Sequence, residues 1–148
     1  MTLFQKRAWL ELCLFLAASV ALVIAVGTSG LGGYTENDSM RIFFEAAILI
    51  VAVVYGIGMW FFRWQLRRAG VLADERDKRI IVNARTTQLV AAVLALLVWT
   101  IALTEYYWEA GMVPVGVLSP LFFSIILVVG LVGALGVLVG YRRAGAYV

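Results

Sequence analysis

Hydrophobic positions fall in four long uncharged runs, separated by short stretches where glycine, proline, acids and bases collect. The first run, Leu12 to Thr35, predicts a helix over about 8–26. Gly27 to Ser39 (GTSGLGGYTENDS) is rich in glycine and polar turn residues, so it is expected to end that helix and form a loop, with Asp38 or Ser39 capping the next. The second helix is predicted over about 40–64, followed by Arg67, Arg68 and a stop at Gly70. A third uncharged run, Thr86 to Thr104, predicts a span over about 86–108. The last, Ala110 to Tyr141, is too long for one crossing, and Ser119-Pro120 divides it. Serine before proline makes an N-cap and first-turn pair, which puts the fourth span at about 120–141.

Each run is at or near the length that crosses a bilayer. The reading is therefore an all-α, polytopic integral membrane four-helix bundle, folded as a single transmembrane domain over 1–148. The chain is 64% hydrophobic and 14% charged, with a mean hydropathy of +0.97. A soluble domain of 148 residues cannot hide that much apolar surface. Lys6 and Arg7 before an apolar stretch imitate a signal peptide, but no clean cleavage site precedes Gly27, so the segment reads as a retained span.

Charge orients the spans. Eleven of the twelve Lys and Arg lie at the N-terminus (Lys6, Arg7), between spans two and three (Arg63, Arg67, Arg68, Arg76, Lys78, Arg79, Arg85) and at the C-terminus (Arg142, Arg143), leaving Arg41 on the other side. Both termini are thus expected in the cytoplasm, about +7 inside and about −4 outside. The expected location is the cytoplasmic membrane of the cell, with anionic lipid against the basic face. The same distribution accounts for the basic pI without a nucleic-acid partner. Trp9, Trp60, Trp64 and Tyr141 fall at the inner interface and Tyr34, Tyr106, Tyr107 and Trp108 at the outer one. Trp99, mid-span, reads as packing.

Between spans two and three, Asp74 to Arg85 is dense in charge and free of proline and glycine. It predicts a cytoplasmic helical stalk over about 74–85, continuous with span three. Asp74 is the expected N-cap, with Asp77 in a variant capping box and Glu75 paired with Arg79. Asp74-Glu75-Arg76 with Ile80, just before a span of a four-span chain, resembles a family of small prokaryotic predicted membrane proteins of unknown function. The resemblance covers about 74–143, and what it implies is the topology, with no reaction or ligand attached. Asp74, Glu75, Arg76, Asp77 and Arg79 form a candidate docking motif for a cytoplasmic or membrane partner; the plainer alternative is a capped helix start.

Candidate chemistry is sparse. No histidine and one cysteine, Cys13, exclude a His-held haem, a His-ligated zinc, a Ser-His-Asp triad and an intramolecular disulfide. No catalytic, metal or cofactor site is expected, and the outward glycines of GTSGLGG lack the Lys-Ser/Thr ending of a phosphate cradle. Glu45 and Glu105, near the outer ends of spans two and three, are a candidate ion or proton site; the plainer reading pairs Glu45 with Arg41. Glu11 is expected to pair with Lys6, Arg7 or the basic loop. Cys13 reads as a small apolar filler, with palmitoylation as a minor alternative. Ser19, Thr100, Thr104 and Ser124 are expected to bond back to helix carbonyls.

Gly133, Gly136 and Gly140 line one side of span four, a groove for close helix approach. Span two, with Gly56 and Gly58, and a second copy of the chain are the two partners considered. The segment 111–118, with Pro114, is expected as an interfacial cover rather than a re-entrant piece. The functional expectation is a non-catalytic membrane protein acting by self-association or as the accessory of another protein. A small oligomeric cation or hydrophobic-cation transporter using Glu45 and Glu105 is the alternative.

Overall fold

The computed structural model describes residues 2–36, 38–69 and 74–145; within these, the side chains at 29, 31–36, 40, 41, 43, 44, 48, 66, 67 and 69 are left aside. Four α-helices hold nearly all of it: α1 (Leu3–Glu36), α2 (Asp38–Ala69), α3 (Glu75–Tyr107) and α4 (Leu118–Gly145), with one 3₁₀ turn at Val115–Val117. Among the described residues there is no strand. All four helices contain segments long and apolar enough to cross a membrane: Leu3–Thr28, Glu45–Gln65, Glu75–Tyr107 and Val115–Ala144.

The local starts and stops follow from side-chain chemistry. Thr2 and Gln5 close a reciprocal capping box on α1: the Gln5 N–H donates to Thr2 Oγ1 at 3.2 Å, and the Thr2 N–H donates to Gln5 Oε1 at 2.9 Å. Helical structure then continues well beyond the expected end at 26, to Glu36, and resumes at Asp38, so among the described residues most of the loop expected over Gly27 to Ser39 is helical; Asn37 lies outside them. Only Gly30 leaves helical geometry (φ 68°, ψ 166°), a conformation open to glycine and strained for other residues. One such residue redirects the chain, so its neighbours keep their helical hydrogen bonds. The Thr28 hydroxyl supports this extension by donating to Ile24 O at 2.9 Å.

Asp74 caps α3 as expected, its carboxylate accepting the Glu75 N–H at 2.6 Å. The helix runs unbroken for 33 residues, about 50 Å at 1.5 Å per residue. It ends where Gly111, at φ 66°, donates its N–H to Tyr107 O at 3.1 Å. Ser119 is not the cap of α4. The 3₁₀ turn after Pro114 feeds directly into a helix starting at Leu118, so Ser119 is already helical and Pro120 occupies the first turn, where a missing N–H is harmless. Residues 111–115 are exposed, while Val117 is 1% exposed in a turn that packs on α1 and α4. Gly70, the expected stop of α2, lies outside the described residues.

Packing is organised as a row, α3 on α4, α4 on α1, and α1 on α2, with broad contacts in the first two pairs and a narrow one in the last. The buried cluster joins Phe15 and Ala18 of α1 to Phe123 and Leu127 of α4, with Leu22, Ala25, Val51, Tyr55 and Leu131 around it. Positions 15, 18, 22 and 25 repeat at the three-and-four spacing that keeps one helix face on its neighbour. Helix α2 touches this cluster through Val51 and Tyr55, and near its end Phe62 meets Phe4 at 5.9 Å between ring centroids.

The glycine stripe of α4 faces α3, which was neither of the two partners considered. A Cβ built on Gly136 would lie 3.2 Å from Cα and Cβ of Ala84, and one on Gly140 would lie 2.6 Å from Ile80 Cγ2. One on Gly133 would collide with the Gln88 side chain, while Gly130 takes the Phe15 ring of α1. Gly56 and Gly58 have nothing within reach. Ile80, Ala84 and Gln88 stand four residues apart on α3, so one face of that helix fits the stripe in antiparallel register. Apolar side chains are exposed over the outer faces of α2 and α3, among them Leu49, Val53, Ile57, Leu89, Val93 and Leu97.

Replacing Gly136 with Leu forces α3 away from α4 and should lower stability by about 1–3 kcal/mol or more. Gly56→Leu should be close to neutral. Thermal unfolding of both variants in the same detergent checks this; equal effects would mean that the α3–α4 contact is not what the stripe serves.

Candidate functional site

The charged start of α3 does not stand alone as a stalk, because α4 runs on to Gly145 and packs against it. Asp74 and Asp77, two members of the charged motif, are used internally. Asp74 is the cap. Asp77 Oδ1 accepts a hydrogen bond from the Tyr141 hydroxyl of α4, and the Thr2 side chain lies beside the same phenol. The starts of α1 and α3 and the end of α4 thus meet at one point. Asp77 therefore does not complete the variant capping box, and no ion pair joins Glu75 to Arg79, both of which are exposed. A partner on α4, out of reach of any local sequence window, takes the Asp77 carboxylate.

Arg76 and Arg79 project from the same turns, and both are exposed. With Arg143 of α4 they line the mouth of an open groove of about 920 Å³ between α3 and α4, shared with Asp74 and Glu75. Away from the mouth the lining is uncharged and mostly apolar or small, with Ile80, Ala84, Val132, Leu135, Gly136 and Val139 beside the polar Asn83 and Thr87. The floor is shallow because the glycine stripe brings the two backbones close, and the walls come from the larger residues on either side. Arg142, next in sequence to Arg143, is exposed and does not line the groove.

Farther along the same seam two polar links cross between helices. Gln88 Nε2 donates to Val129 O at 3.2 Å. Trp99 Nε1 donates to Ser124 Oγ at 2.8 Å, and Ser124 in turn donates to Leu121 O at 2.7 Å. Trp99 is thus a packed, hydrogen-bonded element of the α3–α4 contact. Ser19, Thr100 and Thr104 bond back to the carbonyls of Phe15, Leu96 and Thr100.

Glu45 and Glu105 are both exposed, on α2 and α3. These helices pack on different neighbours, and no interaction among the described residues joins the two acids. The Arg41 side chain, expected beside Glu45, lies outside the described residues. Glu11 pairs with Arg7, Nε to Oε1 at 2.7 Å, and the same guanidinium lies 5.3 Å from the Phe62 ring centre. Cys13 is exposed, not a buried filler, because the packed stripe of α1 runs through Phe15 and Ala18 instead. It borders a second groove of about 530 Å³ between α1 and α2, lined mostly by apolar side chains. Among the described residues, no group of three or more Cys, Asp or Glu side chains is placed to hold a metal ion.

No family model matches the chain, and neither a curated protein nor a solved structure matches it.

The tie between Tyr141 and Asp77 should be measurable. Tyr141→Phe is expected to cost about 1.5–3 kcal/mol, the range for a hydrogen bond to a charged group, and to speed amide exchange in the first turns of α3. In a double-mutant cycle, Asp77→Ala should cost less in the Tyr141→Phe background than alone; full additivity would show that the two side chains act independently.

Proposed function

We propose that the chain is a multi-pass protein of the cytoplasmic membrane with both termini and the α2–α3 connection in the cytoplasm, acting without catalysis by associating with another membrane or regulatory protein or with itself. Four apolar helices and a strong charge asymmetry support the topology. The starts of α1 and α3 and the end of α4 lie together, at the end that carries Lys6, Arg7, Arg76, Lys78, Arg79, Arg142 and Arg143. Asp38 and Glu45 belong to the opposite end of α2, Glu105 to that of α3, and Glu109 to the turn that follows it. Basic residues resist transfer across the membrane, so the basic end is the cytoplasmic one.

The observation that carries the association reading is the division of labour at the start of α3. Asp74 caps that turn and Asp77 ties it to α4, while Glu75, Arg76 and Arg79 stay exposed and take no ion pair among the described residues. A charged surface held rigid loses little conformational entropy on meeting a partner. The transporter alternative has less support, since Glu45 and Glu105 stand on helices that pack on different neighbours.

The topology predicts that the protein resists extraction by alkaline carbonate and that tags at either terminus are cut by protease only in inverted vesicles. For the association reading, crosslinking at native expression followed by purification in mild detergent should recover a stoichiometric partner or a homo-oligomer. Exchanging the charges with Glu75→Lys and Arg76→Glu should lower that recovery at least tenfold while leaving the melting temperature unchanged. Unchanged recovery would reject the motif as a docking surface.

A further inference from the structure

We propose that the groove between α3 and α4 is a binding site for one anionic phospholipid of the cytoplasmic leaflet, with its phosphate on Arg76, Arg79 and Arg143 and an acyl chain along Leu135 and Val139. This rests on the membrane topology proposed above. Three features of the groove point to that occupant.

The first is its division into a charged mouth and an uncharged, mostly apolar length in which the Thr87 hydroxyl is turned back to Asn83 O. All three arginines stand at one end, and the walls beyond carry no charge. A lipid has that same division. A soluble anion would leave the apolar length empty, and a protein helix would have to bring its own apolar face through the bilayer to fill it.

The second is size. On α3 the uncharged lining beyond the mouth extends from Ile80 to Thr87, about 10 Å at 1.5 Å per residue. One leaflet of a hydrocarbon core of about 30 Å is about 15 Å deep. Below its charged mouth the groove therefore covers about two thirds of the depth over which an acyl chain lies.

The third is charge. Asp74 and Glu75 share the mouth with the three arginines, so its formal balance is positive by one charge. Asp74 is occupied by the Glu75 N–H. A phosphodiester bearing a single negative charge and no ammonium is the complementary headgroup, and basic pockets between membrane helices on the cytoplasmic side are suited to such groups. Guanidinium groups also grip phosphate oxygens in pairs. A zwitterionic headgroup would bring an ammonium into a mouth that is already positive.

The test is native mass spectrometry of the full chain released from nanodiscs of phosphatidylcholine containing either phosphatidylglycerol or phosphatidylethanolamine. Wild type should retain one phosphatidylglycerol, and should retain it in preference to phosphatidylethanolamine. Arg76→Gln, Arg79→Gln and Arg143→Gln should each weaken retention about fivefold, while Arg142→Gln should leave it nearly unchanged. Val139→Trp, which fills the groove and alters no charge, should also abolish it, and Glu75→Gln should strengthen it.

Equal losses from Arg142→Gln and Arg143→Gln would mean general attraction to a basic surface and overturn the proposal. So would full retention by Val139→Trp, equal retention of the two lipids, or a second copy of the chain bound in place of lipid and released by Val139→Trp. A chain that stays outside the nanodisc would sink the membrane topology as well. An inserted chain that retains no lipid would sink this site alone.

Discussion

Close approach of two backbones, α3 against the glycine stripe of α4, is the constraint on which the rest of the molecule depends. In a bilayer, leaving lipid for a helix neighbour brings little hydrophobic gain, so helices associate through tight packing and through polar groups that find partners. The α3–α4 contact uses both. Ala84 seats against Gly136 and Ile80 against Gly140, while Asp77–Tyr141, Gln88–Val129 and Trp99–Ser124 cross the same boundary. Spread along much of both helices, these contacts specify one register. A slip by one turn would break the polar links and put side chains where only hydrogen atoms fit.

The same contact shapes the charged end. Because the stripe holds α3 and α4 together to their ends, the arginines of two separate sequence segments, 76–79 and 142–143, become neighbours. A groove with a basic mouth follows from the geometry: small residues make the floor and β-branched or leucine side chains the walls. The row arrangement leaves α2 on the far side of α1, where it contributes to the shared cluster mainly through Val51 and Tyr55.

Much of this was legible one element at a time. The four apolar segments and the Asp74 cap follow from patterns that extend over a few residues, and so does the continuity of α3. The Thr2–Gln5 box is equally local, a Thr and a Gln three residues apart at a helix start. The segment over 27–39 differs from its expected loop because several glycines and polar residues together suggest irregular chain, whereas a single positive-φ glycine redirects it and the other described residues up to Glu36 are helical. Longer-range facts were out of reach. That the stripe on α4 would meet α3, that Tyr141 would take the Asp77 carboxylate, and that Arg143 would join Arg76 and Arg79 all depend on the relative register of helices far apart in sequence. A stripe of small residues says that something approaches closely and does not say what.

Helix α4 has α1 on one side and α3 on the other, and α1 and α4 are the two helices farthest apart in the chain. A ribosome makes α1, α2 and α3 before the helix on which two of them pack exists. Until α4 emerges, the Phe15 face of α1 and the Ile80–Ala84 face of α3 have no permanent neighbour, and local hairpin formation can supply only the narrow α1–α2 contact. Assembly is therefore completed late, when α4 comes to lie between two helices already made, and the interval before that arrival is when their unpaired faces are most exposed to misassembly.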